Sequence, residues 1–481
     1  MRLALPVAAA AGALTLAAAF GGATATAPAA RGPAAARAPA MAVVIRPELI
    51  HVATVLKSLP TTAFCEQNYG IACYQPKQIQ RGFDLPALYS EKVRGKRANG
   101  AGQTIIIVDS YGSPTVSHDL KVFDAGSGLP APPSLRIIQP AGKVAPYQPT
   151  SDREGWAGET DLDVESAHTI APGASILLAE TPTSENEGTT GFPQIVTAEE
   201  YAVNHHLGGV ISQSFSATEQ TFPSRRSLLS LRGAYVDASR KGVTVLAASG
   251  DSGAADLRYN GNDYYLQRVT SWPDSDPLVT GVGGAQLHLN AAGQPTSAPS
   301  VWNDTYNAPA NEFLYGDRGP NPLAGGGGKS VIFARPRYQY AVRNVVGAAR
   351  GVPDISMSGA CNGAADMYQS FKGQPAGWYP TCGTSEATPE FAGIVALADQ
   401  VAGHPLGPIN PDLYQLLARH SPGIVDITSG NNTVSFVQGG KQHTVRGLGA
   451  APGYDLASGI GTVDARTFVY ALANAARHRG A

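Results

Sequence analysis

The chain reads as an α/β fold built on a mostly parallel central sheet, and two observations predict it. Continuous apolar runs recur at Thr104 to Val108, Ser175 to Ala179, Val210 to Ser212, Val243 to Ala248 and Leu278 to Val282, the pattern of strands buried on both faces. Helical periodicities lie between them, at Gly158 to Ile170, Ile195 to His205 and Ser227 to Arg240, and strands alternating with helices argue for a sheet covered on both sides. In such sheets, polar residues just past the strand ends gather in one crevice. Asp109 and Asp251 sit at such ends.

At the N-terminus Arg2 precedes a small-apolar run from Leu3 to Phe20, then Ala23-Thr24-Ala25-Thr26-Ala27. Residues 1–27 therefore read as a secretory signal with overlapping Ala-x-Ala cleavage sites; the run is short and Ala-rich for a membrane span. Pro28 to Ala40 is rich in Ala, Pro and Arg, a linker composition that cannot build a core. Order is expected to begin between Met41 and Pro47. Short helical patterns follow at Pro76 to Gln80 and Leu85 to Val93, and later helices at Pro411 to Arg419 and Ala465 to Ala476 flank a loop-rich stretch, Asp426 to Gly461.

With 481 residues, 43% of them hydrophobic and 15% charged, the chain can bury a large core, as several domains or as one large α/β domain with extensions. Its net charge of -2 gives no basic excess for nucleic acid and no polybasic run for an anionic membrane. The four cysteines fall into two local pairs, and the favoured connectivity is Cys65 with Cys73 and Cys361 with Cys382, free thiols being the alternative. Neither pair has zinc spacing with histidine partners.

Candidate chemistry centres on Cys382 to Ala402. A small-residue turn delivers Ser385 to the start of an apolar helix whose Phe391, Ile394, Val395, Leu397 and Ala398 recur at helical spacing. Pro389 is read there as a first-turn proline. A serine so placed is a candidate nucleophile whose own N–H faces a developing oxyanion, or it simply caps the helix. The helix from Gly158 carries Glu159, Asp161, Asp163 and Glu165. Residues four apart share a face, so Glu159 pairs with Asp163 and Asp161 with Glu165. The first pair is either part of a solvated acidic face or a base, Glu159, with Asp163 sharing a proton with it. Asp251, in Ser249-Gly250-Asp251-Ser252-Gly253, is either an Asx-turn residue or, protonated in acid, an oxyanion donor.

Taken together, Gly383-Thr384-Ser385 with Pro389, Glu159-x-x-Leu162-Asp163 and Ser249-Gly250-Asp251-x-Gly253 resemble the motifs of the sedolisin family, the serine-carboxyl peptidases. Support comes from Trp272 to Gly284, Gly325 to Gln339 and Pro353-Asp354, and the likeness runs from about Tyr74 to Val469. The resemblance implies a subtilisin-like three-layer fold, with Ser385 as nucleophile, Glu159 as general base, Asp163 as the carboxyl bonded to it and Asp251 as the oxyanion-hole acid. It also implies one Ca²⁺ ion held by the side chains of Asp426 and Asp455 and the carbonyls of Ile427, Ala451 and Gly453; by themselves these read as turn residues. Cys382 stands where the family usually has glycine. A family-like prosegment would have only residues 28–73 to occupy, so the chain divides into a signal (1–27), a linker with short prosegment (28–73) and a peptidase domain with its calcium region (74–481).

The expected function is that of a secreted endopeptidase active at acid pH, cleaving protein or peptide substrates through an acyl-enzyme. It is read as a monomer with no nucleic-acid partner and no membrane attachment after signal removal. One alternative is a subtilisin-type triad of Asp109, His168 and Ser385, although His168 falls towards the end of its helix. The other is a catalytically silent binding protein that keeps the fold.

Overall fold

The computed structural model describes residues 56–479. The expected signal and the linker from Pro28 to Ala40 lie outside the described residues. Each apolar run found in the sequence is a strand of one eight-stranded sheet. Across it run Ser300–Val301, Thr280–Gln286, Thr244–Ala248, Val210–Gln213, Thr104–Ser110, Ser175–Thr181 and Leu135–Ile138, with Ile355–Ser358 also pairing to Thr280–Gln286. All pairings are parallel except the edge contact of Ser300–Val301. Ile105 sits in register with Ile176 on one side and Val210 on the other.

Strand alternation divides the core into two layers. Ile105 and Ile107 pack with the helices Ser151–Ile170, Thr384–Ala402 and Ala465–Arg479, whereas Ile106 and Val108 pack with Phe192–Asn204 and Gly233–Lys241. This is the helix–sheet–helix sandwich expected of the resemblance. Every residue of Thr384–Ala402 is buried, so the helix that carries Ser385 runs through the core. It crosses the Ser151–Ile170 helix closely enough that a Cβ on Gly393 would lie 2.6 Å from Ile170 Cβ; only glycine permits that approach.

The acidic helix begins at Ser151, earlier than the apolar pattern shows, because Thr150 caps it by accepting from the Arg153 N–H. The expected helix Ser227 to Arg240 breaks into Arg225–Leu229 and Gly233–Lys241, with Ser230 and Gly233, both weaker helix formers, around the break. Leu85 to Val93 stops as a helix at Tyr89. Lys92–Val93 instead forms a hairpin with Lys96–Arg97 across Arg94 and Gly95, both at positive φ.

Both favoured disulfides are present, Cys65–Cys73 and Cys361–Cys382. A small sheet the sequence did not reveal joins Cys73–Tyr74, Ala364–Gln369 and Gly377–Thr381, the last leading directly into Cys382. Ordered structure thus reaches back into the segment read as linker and prosegment. Among the described residues no helix is long and apolar enough to cross a membrane.

Candidate active site

Adjacent strands place their carboxyl ends side by side, and the polar residues beyond those ends meet at one place. Asp251 follows Thr244–Ala248 and Ser214 follows Val210–Gln213, whereas Asp109, expected past its strand, lies inside Thr104–Ser110 just before its end. Ser385 stands at the start of Thr384–Ala402 and is only 6% exposed. Glu159 and Asp163 come from the neighbouring acidic helix.

Glu159, Asp161, Asp163 and Glu165 are all buried, at 2% exposure or less, which excludes a solvated acidic face. The two pairs separate as their spacing requires. Glu159 and Asp163 face Ser385 and Ser214. Asp161 accepts from the Ser113 hydroxyl (3.2 Å), and Glu165 accepts from the Tyr368 N–H (2.9 Å). Their role is to anchor neighbouring segments.

Ser214 is the residue the sequence reading missed. Its hydroxyl lies 2.8 Å from Asp163 Oδ1 and 3.4 Å from the Ser385 carbonyl oxygen. That second contact explains Pro389, which lies inside the helix and not in its first turn. Pro389 has no N–H to donate to the carbonyl four residues earlier, and that carbonyl belongs to Ser385, so Ser214 can serve it instead. A rule already applied to Asp109 and Asp251, that polar residues past strand ends matter, would have flagged Ser214.

Burial pushes the Glu159 carboxyl well up from its ordinary range, and the charges of Asp109 and Asp251 push it further, while the Ser385 and Ser214 hydroxyls oppose the shift. Asp163 is likewise raised by burial, then by Asp109 and Glu159. Asp109 is raised to about 7, first by burial, with Thr160 opposing and Glu180 adding. The three acids therefore titrate as a group. Neither Glu159 oxygen completes a full hydrogen bond with the protein.

On the other side of Ser385, Asp251 caps the helix. Its Oδ1 accepts from the Thr384 N–H and from the Thr384 hydroxyl, both at 2.7 Å, so the Asx-turn alternative gives way to a contact across the chain. Burial raises Asp251 to about 6 despite those two donors. With Oδ1 committed, the proton it holds below that pH belongs on Oδ2. That oxygen lies 2.8 Å from the point a Cβ on Gly383 would occupy. Gly383 also has φ +133°, so the turn requires glycine twice over, in conformation and in space.

His168 faces away from this cluster. Its Nε2 lies 2.8 Å from the Pro130 carbonyl and 3.0 Å from Asp124 Oδ1. Nine helical positions after Glu159, it points to the opposite side at roughly 100° per residue, which removes it from the triad alternative.

In the proposed calcium region, the Gly453 N–H donates to Asp426 Oδ2 (2.8 Å) and the Ala451 N–H to Asp455 Oδ2 (3.0 Å), so the expected segments adjoin. Asp426 Oδ1 is buried with no hydrogen-bond partner. Two carboxylates suit a hard, oxygen-seeking cation in donor type, and the free donor among them is Asp426 Oδ1, since both Asp455 oxygens already accept from Ala451, Ala457 and Ser458. Cys65, Cys73 and Asp366 also lie close together, but the two sulfurs are joined in a disulfide and cannot ligate.

Residues 150–439 match the subtilase family; that stretch contains Glu159, Asp163, Asp251 and Ser385. Kumamolisin of Bacillus sp. (strain MN-32) is 31% identical over 405 residues, covering 82% of this chain and 63% of that protein. Sedolisin of Pseudomonas sp. (strain 101) is 29% identical over 397 residues, covering 82% and 62% respectively. The structure of Pseudomonas sedolisin, a serine-carboxyl proteinase, complexed with two molecules of pseudo-iodotyrostatin superposes with a TM-score of 0.67 at 25% identity, over 85% of this chain and all of that one. The chain belongs to the subtilase family and, within that fold, to its sedolisin group, the serine-carboxyl peptidases. It spans less than two thirds of the length of the two curated relatives.

Proposed function

We propose that the chain is a secreted, acid-active endopeptidase that hydrolyses peptide bonds of proteins through an acyl-enzyme. One arrangement carries the reading: a buried carboxyl, Glu159, lies near the Ser385 hydroxyl without a full hydrogen bond to it, while a second, Asp251, holds an uncommitted oxygen beside the turn that presents that serine.

In this mechanism Ser385 Oγ attacks the scissile carbonyl carbon as Glu159 takes its proton, and the same carboxyl then gives the proton to the departing amine. Water, deprotonated by Glu159, hydrolyses the resulting ester and regenerates Ser385. Asp163 shares the charge of Glu159 and is held in place by Ser214. The protonated Oδ2 of Asp251, with the Ser385 N–H, donates to the carbonyl oxygen as it becomes negative. The enzyme works where the Glu159–Asp163–Asp109 group has released a proton and Asp251, raised to about 6, still holds its own. Loss of the Asp251 proton caps the optimum on the acid side.

Export follows from the reading of residues 1–27 as a signal and fits the two disulfides. One Ca²⁺ held by Asp426, Ile427, Ala451, Gly453 and Asp455 would supply a cross-link between two C-terminal segments and no chemistry to the reaction. The substrate class is protein or peptide, and the enzyme is read as a monomer. Digestion of an unfolded protein across the acid range, comparing the full chain with its Ser385→Ala and Glu159→Gln variants, tests the assignment. The parent should cleave internally and both variants should not; equal cleavage by Glu159→Gln would assign the base elsewhere, and no cleavage by the parent would favour the silent binding protein.

A further inference from the structure

The short segment from Leu56 to Tyr74 is built into the hairpin that delivers Ser385. The Trp378 N–H donates to the Leu56 carbonyl (2.9 Å), and the two residues form an antiparallel bridge. Trp378 itself is buried against Phe123 and Tyr368. Gln75 donates to the Pro60 carbonyl, and the Thr62 hydroxyl to the Cys73 carbonyl. Cys65–Cys73 closes the segment, and both sulfurs are inaccessible.

The connection then runs residue by residue to the candidate nucleophile. Cys73 and Tyr74 pair with Ala364 and Ala365, and Ala365 pairs in turn with Thr381. Thr381 is followed by Cys382, Gly383, Thr384 and Ser385. Asn362 accepts from the Ala72 N–H (2.9 Å). Ile71, 1% exposed, packs in the same apolar cluster as the Cys361–Cys382 bridge. The chain reaches Ser385 from the Gly377–Thr381 strand, which bridges Leu56 at Trp378 and is joined to Cys73 and Tyr74 through the Ala364–Gln369 strand between them.

We infer that Leu56 to Tyr74 is a permanent strut of the catalytic hairpin, and that any proteolytic trimming of this chain ends at or before Leu56. A prosegment extending to Cys73 would be removed only by opening a sheet edge, pulling the buried Ile71 from its cluster and uncovering the buried Cys361–Cys382 bridge. The role of the strut in positioning Ser385 rests on the peptidase reading; its permanence does not.

The experiment separates these two. The full chain carrying Ser385→Ala, which cannot trim itself, is digested briefly with added pepsin at acid pH, and the resistant fragment is sequenced from its N-terminus. A start at or before Leu56 is expected; a start between Lys57 and Pro76 overturns the inference. In the active full chain, Ile71→Ala and the double variant Cys65→Ala/Cys73→Ala should lower kcat by about tenfold or more, because small misplacements of a reacting group are costly, while KM stays within about twofold. An unchanged kcat in both would overturn the positioning role. Lack of activity in the parent chain would defeat the peptidase reading and leave the fragment's start to decide on permanence.

Discussion

In the proposed mechanism Ser385, Glu159 and Asp251 divide one task among three side chains, and each role has its own test. Replacing the nucleophile or its base should reduce kcat by about 10⁴-fold or more, as for members of a catalytic unit in serine peptidases, with thermal unfolding nearly unchanged. Ser385→Ala and Glu159→Gln check this by steady-state kinetics on an unfolded protein. Asp251→Ala removes a donor to the developing charge and should cost about 10²–10³-fold in kcat with little change in KM. Asp251→Asn differs in an instructive way. Oδ1 can still accept from Thr384, and the amide that replaces Oδ2 donates at every pH.

The turn before the central helix shows why an element, and not a lone residue, makes the site. Gly383 has φ +133° and sits against Asp251 Oδ2, so Gly383→Ala should both strain the backbone, by about 1–3 kcal/mol, and displace the acid. Activity should fall by more than the loss of stability accounts for, measured as kcat beside the unfolding free energy of the same preparation. This element was legible in the sequence because small residues followed by an apolar helix leave a plain pattern. So were the central strands, whose β-branched runs are buried on both faces. The Ala364–Gln369 strand was not: it carries Asp366 and Gln369, buried polar residues that break the apolar alternation. Ser214 had no motif of its own, and the inward direction of the Glu159 helix came from tertiary packing, which spacing alone does not contain. The motif residues of the sedolisin resemblance, Thr384 among them, were legible; Ser214, whose hydroxyl holds Asp163, was not.

Across the molecule, burial raises several carboxyls, and this sets how stability varies with pH. Burial raises Asp251 to about 6, Asp109 to about 7 and both Glu386 and Asp399 to about 8. The folded state therefore binds more protons than the unfolded chain, whose carboxyls ionise near 4. Stability from these groups is full below the unfolded values, declines as pH rises above about 4, and is lost by the time pH passes through 6 to 8. Melting temperature measured from pH 3 to 9 should fall across that window, and a maximum near neutrality would contradict the account. At fixed acid pH, a calcium chelator should lower the melting temperature of the parent but not of Asp426→Ala, since a cation bound only by the folded state stabilises it.

The central claim, that a protonated Asp251 faces the charge formed when Glu159 deprotonates Ser385, is tested most directly by kcat/KM against pH for the parent chain and for Asp251→Asn. The parent should give a bell on the acid side whose falling limb lies near pH 6, and the variant should retain activity at acid pH with that limb moved upward. A parent optimum at neutral or alkaline pH, or a falling limb unmoved in an active variant, would contradict it.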